Sequence, residues 1–212
     1  ETSGDTTDFW SCKWGIIPRT RDGVIIGPFM IVPEFLFNVG DMTIGTYSHE
    51  FGHILGLPDL YDYEYPPYDS GGVGYWSLMS YGSWNGVFGS SPAHLDAWSK
   101  SQLGFSNPQE ISIAPQTINL PNSENNPVAY KLWKDNVYGN EYFIIENRQK
   151  IGYDSYIPGE GLLIWHIDEN KANNNQEWYP GHTTLGHYKV AVEQADGLWE
   201  IEKSLNRGNS ND

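Results

Sequence analysis

The sequence predicts an α+β protein. Helical periodicity is confined to the first half, strand-like apolar runs dominate the second, and Gly, Pro and Asn punctuate both. In the first part, residues 1–106, Val24–Ile26 and Phe29–Val32 read as one or two early strands. The run IGTYSHEFGHILG reads as a helix because Ile44, Tyr47, Phe51, Ile54 and Leu55 recur at intervals of three and four and can face inward. A long aromatic, Gly-rich loop from Tyr61 to Ser90 follows, of a length that usually carries function, and it is expected to wall a cleft. Ser91-Pro92 is a helix-start signal and predicts a second helix from Ser91. In the second part, residues 107–212, ISIAP, TINLP, AYKLWK, EYFIIENR, GLLIWHI and HYKVAVEQA predict an antiparallel sheet or small sandwich beside the first part.

Composition narrows the function classes. The chain has 212 residues, 39% hydrophobic and 15% aromatic, enough for a packed core in one large domain or two small ones. A net charge of −15 argues against nucleic-acid binding, and Lys13, Arg19 and Arg21 make only a weak basic patch. No apolar run is long enough to span a membrane, and no signal peptide opens the chain.

The chemistry is concentrated in HEFGHILGLPDLYD, residues 49–62. Residues four apart on a helix lie one above the other, so His49 and His53 aim two imidazoles at one point, as a zinc ion requires. Glu50 is placed to reach a water on that metal, the general-base position of the HExxH signature. Gly56 suits a helix C-terminus and Pro58 opposes further helix, so a sharp turn there brings Asp59 back as the third ligand. Three protein ligands with one open position is the catalytic zinc arrangement. Cys12, the sole cysteine, is expected to be a partly buried thiol. A partner in a missing segment and a role in blocking zinc in a latent form are the alternatives.

The pattern HExxHxxGxx followed by a ligand, with a methionine turn downstream, resembles the metzincin clan of zinc peptidases, with Asp59 where most of that clan has histidine. HEFGHILGLPDLYD, GYWSLMSYGSWNG and SPAHLDAWSKSQLGF, with EYFIIENRQ and PGEGLLIWHIDEN further on, resemble the M6 family, the immune inhibitor A-type secreted bacterial peptidases. The likeness runs from about Phe29 to the end of the chain. It implies a metzincin-like catalytic part, an aspartate third ligand, a secreted zinc endopeptidase and protein or peptide substrates. It implies that Met79, in the turn SLMSYG, forms the hydrophobic floor beneath the metal, and that Tyr81 contacts the metal or steadies the oxyanion. The alternative for Tyr81 is plain packing, in a chain with 14 tyrosines. Calcium enters as an option at Asn173, Asn174 and Asn175, a run that equally describes an ordinary loop.

The remaining histidines read as structural: His94 on the second helix, His166 in a buried strand, and His182 and His187 at the surface. Few strands precede His49, and the polar tail SLNRGNSND reads as an interrupted loop, so a fragment of a longer parent chain is expected. Two other functions fit the same motif: a truncated, non-catalytic peptide-binding module, and a zinc amidohydrolase acting on cell-wall peptide.

Overall fold

The computed structural model describes residues 10–63, 70–112, 114–182 and 186–210. Residues 64–69 of the long loop, Ile113 of ISIAP and 183–185 of the loop between His182 and His187 lie outside them. The fold is α+β, with short strands and a helix first and a five-stranded sheet last.

Among the described residues four short strands precede the helix, where the sequence predicted one or two. β1 (Cys12–Trp14) pairs antiparallel with β4 (Phe29–Ile31), and β2 (Arg19–Arg21) with β3 (Val24–Ile26). The β2–β3 hairpin closes on Asp22-Gly23, both at positive φ, the two-residue turn whose twist matches its flanking strands.

Helix α1 (Ile44–Ile54) is inverted relative to the apolar pattern. Its buried face is Gly45, Thr46, His49, Glu50 and Gly52, whereas Ile44, Tyr47, Phe51 and Leu55 are exposed among the described residues. Close approach explains which face packs. A Cβ on Gly45 would stand 1.9 Å from the Ser83 carbonyl oxygen, and one on Gly52 would stand 2.4 Å from Met79 Sδ. The two glycines therefore let the helix lie directly on the 79–89 segment, and the Gly45 amide donates to the Gly89 carbonyl at 3.0 Å.

The second helix, α2, is shorter than expected and starts later, at Ala97–Gln102. Asp96 rather than Ser91 caps it: Asp96 Oδ1 accepts from the Ser99 amide at 2.8 Å, while the Ser91 hydroxyl donates to the Tyr153 carbonyl. His94 thus precedes the helix instead of riding on it.

The second half forms one mixed sheet in sequential order: β5 (Gln109–Glu110), β6 (Tyr130–Trp133), β7 (Glu141–Arg148), β8 (Gly161–Asp168) and β9 (Val190–Val192). The expectation of an antiparallel sheet is corrected at one edge, because β5 pairs parallel with β6. TINLP is irregular, and HYKVAVEQA supplies only the three residues of β9. Along β7, Tyr142, Ile144, Glu146 and Arg148 point inward and alternate with half-buried residues, as strand geometry requires. The inward residues of β7, β8 and β9 share one apolar core with Leu60, Trp76, Met79, Ala93 and Trp98 of the first half.

A buried ionic cluster crosses that same junction. Arg148 has no exposed surface; its Nε and Nη2 each donate to Asp154 at 2.8 Å, and its Nη1 reaches Glu146 at 3.2 Å and the Trp76 carbonyl at 3.3 Å. Glu146 also accepts from Lys100 of α2 at 2.9 Å and from the Trp165 indole at 3.0 Å. Burial alone would raise the Glu146 carboxyl, but the Lys100 and Arg148 charges outweigh it and hold the pKa at about 2.

Three expected outcomes follow from this packing. Arg148→Met strands the buried Asp154 carboxylate and leaves Glu146 with Lys100 and Trp165 alone, and should lower stability by about 3–5 kcal/mol in urea unfolding. Gly45→Ala should destabilise by about 1–3 kcal/mol or more, because the atoms it meets belong to backbone. Because folding depresses the Glu146 pKa from 4.5 to about 2, its contribution is complete above pH 4.5 and is lost as pH falls towards 2. Melting temperatures measured across that window should fall more steeply for the wild type than for Glu146→Gln.

Candidate metal centre

The centre is built by the way α1 ends. Leu55 caps the helix and Gly56 follows at φ 102°, a left-handed conformation that glycine adopts without a Cβ penalty. The Gly56 amide donates to the His53 carbonyl and the Leu57 amide to the Gly52 carbonyl, both at 3.1 Å. This is the Schellman pattern of paired bonds, and it reverses the chain. The reversed segment places the Leu57 carbonyl 2.8 Å from His53 Nδ1 and carries Asp59 back to the helix.

On the other side lies the turn that holds Met79. The Ser80 amide donates to the Ser77 carbonyl at 3.0 Å, the Leu60 amide donates to the Met79 carbonyl at 2.8 Å, and Met79 is fully buried against Gly52. The Leu78 carbonyl accepts from His49 Nδ1 at 2.9 Å. Asp96 anchors the turn from below, accepting from the Ser77 hydroxyl at 2.7 Å while it caps α2. Burial raises the Asp96 carboxyl.

Both imidazoles therefore donate Nδ1–H to a backbone carbonyl, which fixes the neutral tautomer and leaves each Nε2 a bare lone pair. The two Nε2 atoms lie 3.1 Å apart, and each lies 3.2 Å from Asp59 Oδ1. With neutral imidazoles, this is a triangle of three acceptors with no proton between them, and Asp59 Oδ1 is a buried oxygen without a hydrogen-bond donor. Donors about 2.0–2.1 Å from a tetrahedral zinc ion stand about 3.3 Å from each other, so these three atoms fit that metal.

The electrostatics agree. Burial opposes ionisation of Asp59, but the two imidazoles outweigh it and hold its carboxyl well below the usual range. Burial likewise opposes protonation of His53, yet Asp59 and the Leu57 carbonyl outweigh it and raise its pKa. The triangle attracts positive charge.

The three ligand candidates line a cleft of about 700 Å³ together with Glu50, Tyr61, Tyr81 and the half-buried Cys12 of β1. Glu50 is buried, its Oε2 has no hydrogen-bond partner among the described residues, and desolvation raises its pKa against the pull of both histidines. Tyr81 stands at the cleft wall, its ring 5.7 Å from that of Tyr61, with the Arg207 guanidinium 4.2 Å from its ring centre. The sequence reading passed over Tyr61, which stacks on His49 at 6.4 Å and whose phenol burial and the Asp59 carboxylate push up. Its only signal was its place two residues beyond Asp59. Asp96 was passed over as well, and the available signal was an N-cap residue type ahead of a short helix.

The other candidates separate from this site. The His94 amide donates to Asp154 while its carbonyl accepts from Leu78. Asn174 is buried and clamps backbone, donating to the Leu60 and Val190 carbonyls and accepting from the Val190 amide. His182 is exposed beside Tyr179. His187, expected at the surface, is half-buried and faces His166.

Comparison with known proteins matches this half of the chain. The family model of the immune inhibitor A peptidase M6 catalytic domain matches residues 10–106. The pre-pro-metalloprotease PrtV of Vibrio cholerae serotype O1 (strain M66-2) is 45% identical over 64 residues, 30% of this chain and 7% of that protein. Immune inhibitor A of Bacillus thuringiensis subsp. alesti is 32% identical over 99 residues, 43% of this chain and 14% of that protein. The chain thus spans a small part of the length of these relatives. Residues 10–106 are thus similar to the catalytic domain of the immune inhibitor A peptidase family, M6.

Proposed function

We propose that this chain is the catalytic part of a secreted zinc endopeptidase with a metzincin-like site. His49, His53 and Asp59 hold the metal and Glu50 is the general base. The observation that carries the reading is the triangle of acceptors at 3.1–3.2 Å, with each imidazole oriented by a backbone carbonyl. A zinc ion there supplies a Lewis acid that acidifies water and polarises a carbonyl.

The chain's own residues do the rest. Glu50 accepts a proton from the attacking water and returns it to the departing amine. Its burial, which raises its pKa, suits a carboxylate that must both take and give a proton. Met79 fills the space beneath the ligands and fixes the height of α1 over the turn. Tyr81 is assigned to donate its phenol proton to the developing oxyanion. Protein or peptide substrates lie in the cleft that Glu50 and Tyr81 line. The secreted location follows from the family likeness.

Glu50→Gln should keep its zinc, by elemental analysis after dialysis, and lose at least about 10²–10⁴-fold in kcat on casein. His53→Ala should lose one equivalent of zinc. Full turnover by Glu50→Gln, or unchanged metal in His53→Ala, would sink the assignment. Tyr81→Phe should lower kcat by about 100-fold with zinc content unchanged. Running cell-wall peptides beside casein separates proteolysis from amidohydrolysis, since turnover of the former alone would reassign the substrate.

A further inference from the structure

A second group of metal-binding side chains lies on the sheet face turned away from the core. His166 of β8 projects there beside Phe143 of β7, because inward residues alternate with outward ones along both strands. Its Nε2 lies 3.0 Å from Glu141 Oε1, and its Nδ1 lies 2.9 Å from Glu193 Oε1 and 3.3 Å from His187 Nε2. A neutral imidazole has one N–H, so it does not satisfy acceptors at both nitrogens.

His187 sharpens the point. Its Nδ1–H donates to the Tyr188 carbonyl at 2.6 Å, so the Nε2 that faces His166 is a lone pair. A histidine whose second nitrogen is held by a backbone carbonyl is oriented as a metal ligand is. One ligand atom each from Glu141, His166 and His187 lie within 4.8 Å of one another. They border a cavity of about 290 Å³, which Glu193 and Lys134 also line.

We propose that Glu141, His166 and His187 form a second zinc site, separate from the peptidase centre. Two imidazoles and a carboxylate are a donor set that zinc accepts: His166 binds through the Nδ1 that faces His187, Glu141 turns from its contact at Nε2 toward that side, and the fourth position is left for water or for Glu193. The competing cation is Lys134, whose Nζ lies 2.5 Å from Glu141 Oε1 at a half-exposed position, from which it can swing into solvent when the ion enters. The site joins the segment before β9 to β7 and β8, so the ion acts as a clip between two strands and that segment. No residue of the peptidase centre takes part.

The test uses the full chain on a His53→Ala background, which removes the first metal. After dialysis against zinc chloride, elemental analysis should give about two zinc ions in the wild type and one in His53→Ala. The double variant His53→Ala/His187→Ala should hold none, and zinc should raise the melting temperature of His53→Ala but not of the double variant. Should His187→Ala fail to fold by circular dichroism, Glu141→Gln replaces it, with zinc affinity expected to fall at least about tenfold. Equal zinc content in His53→Ala and the double variant, whether none or one, overturns the second site, because the His166 group is then an ion-pair cluster only. Failure of the first site reads out separately, as unchanged zinc between the wild type and His53→Ala.

Discussion

A guanidinium with no contact to water governs how the two halves meet. Arg148 sits at the end of β7, yet its partners lie in the strand itself, in the turn holding Asp154 and at the Trp76 carbonyl just ahead of the methionine turn. A charge buried this completely must be matched on every side, so the sheet, the helical turn ending at Trp76 and α2 through Lys100 have one mutual arrangement that satisfies it. Asp154 carries the constraint onward by accepting from the His94 amide, and the His94 carbonyl receives the Leu78 amide. The Leu78 carbonyl in turn orients His49. A chain of polar contacts therefore runs from the sheet to one of the two imidazoles.

The candidate metal centre shows the same economy of parts. Both histidines are held at Nδ1 by main-chain carbonyls, Leu78 for His49 and Leu57 for His53. Their positions depend on two turns, one closed by Gly56 and one by Ser77, and the Leu60–Met79 hydrogen bond ties the two together. The acceptors are brought within van der Waals distance of one another by a fold whose apolar packing outweighs their repulsion, and a cation relieves it.

Much of this was legible in the sequence, and the reasons differ by residue. The convergence of His49, His53 and Asp59 was readable because helix periodicity and a Gly-x-Pro stop fix geometry over a few residues; their role as ligands is the proposal made above. Long alternating strands such as β7 and β8 were readable for the same local reason. The burial of α1 was misread, because glycines carry no hydrophobic signal although they let backbones approach most closely. The start of α2 was misread because Ser-Pro and Asp96 are both credible caps, and only the Ser77 hydroxyl, nineteen residues away, decides between them. The pairing of His187 with His166 depends on the register of β8 against β9 and on the loop between them, neither of which spacing encodes.

The shared core has a consequence for how such a chain changes over generations. The stretch that matches the family model ends at residue 106, but the apolar interior holding Met79 is completed by Ile144, Trp165 and Ile201. The unit of inheritance and the unit of folding thus have different edges. The inward faces of the strands are under selection from the half that carries His49, His53 and Asp59, since an altered volume at Trp165 is felt in the interior that holds Met79. Drift in the sheet is therefore expected to be slow on its inward face and fast on its outward one, with the histidine cluster as the exception worth watching among relatives.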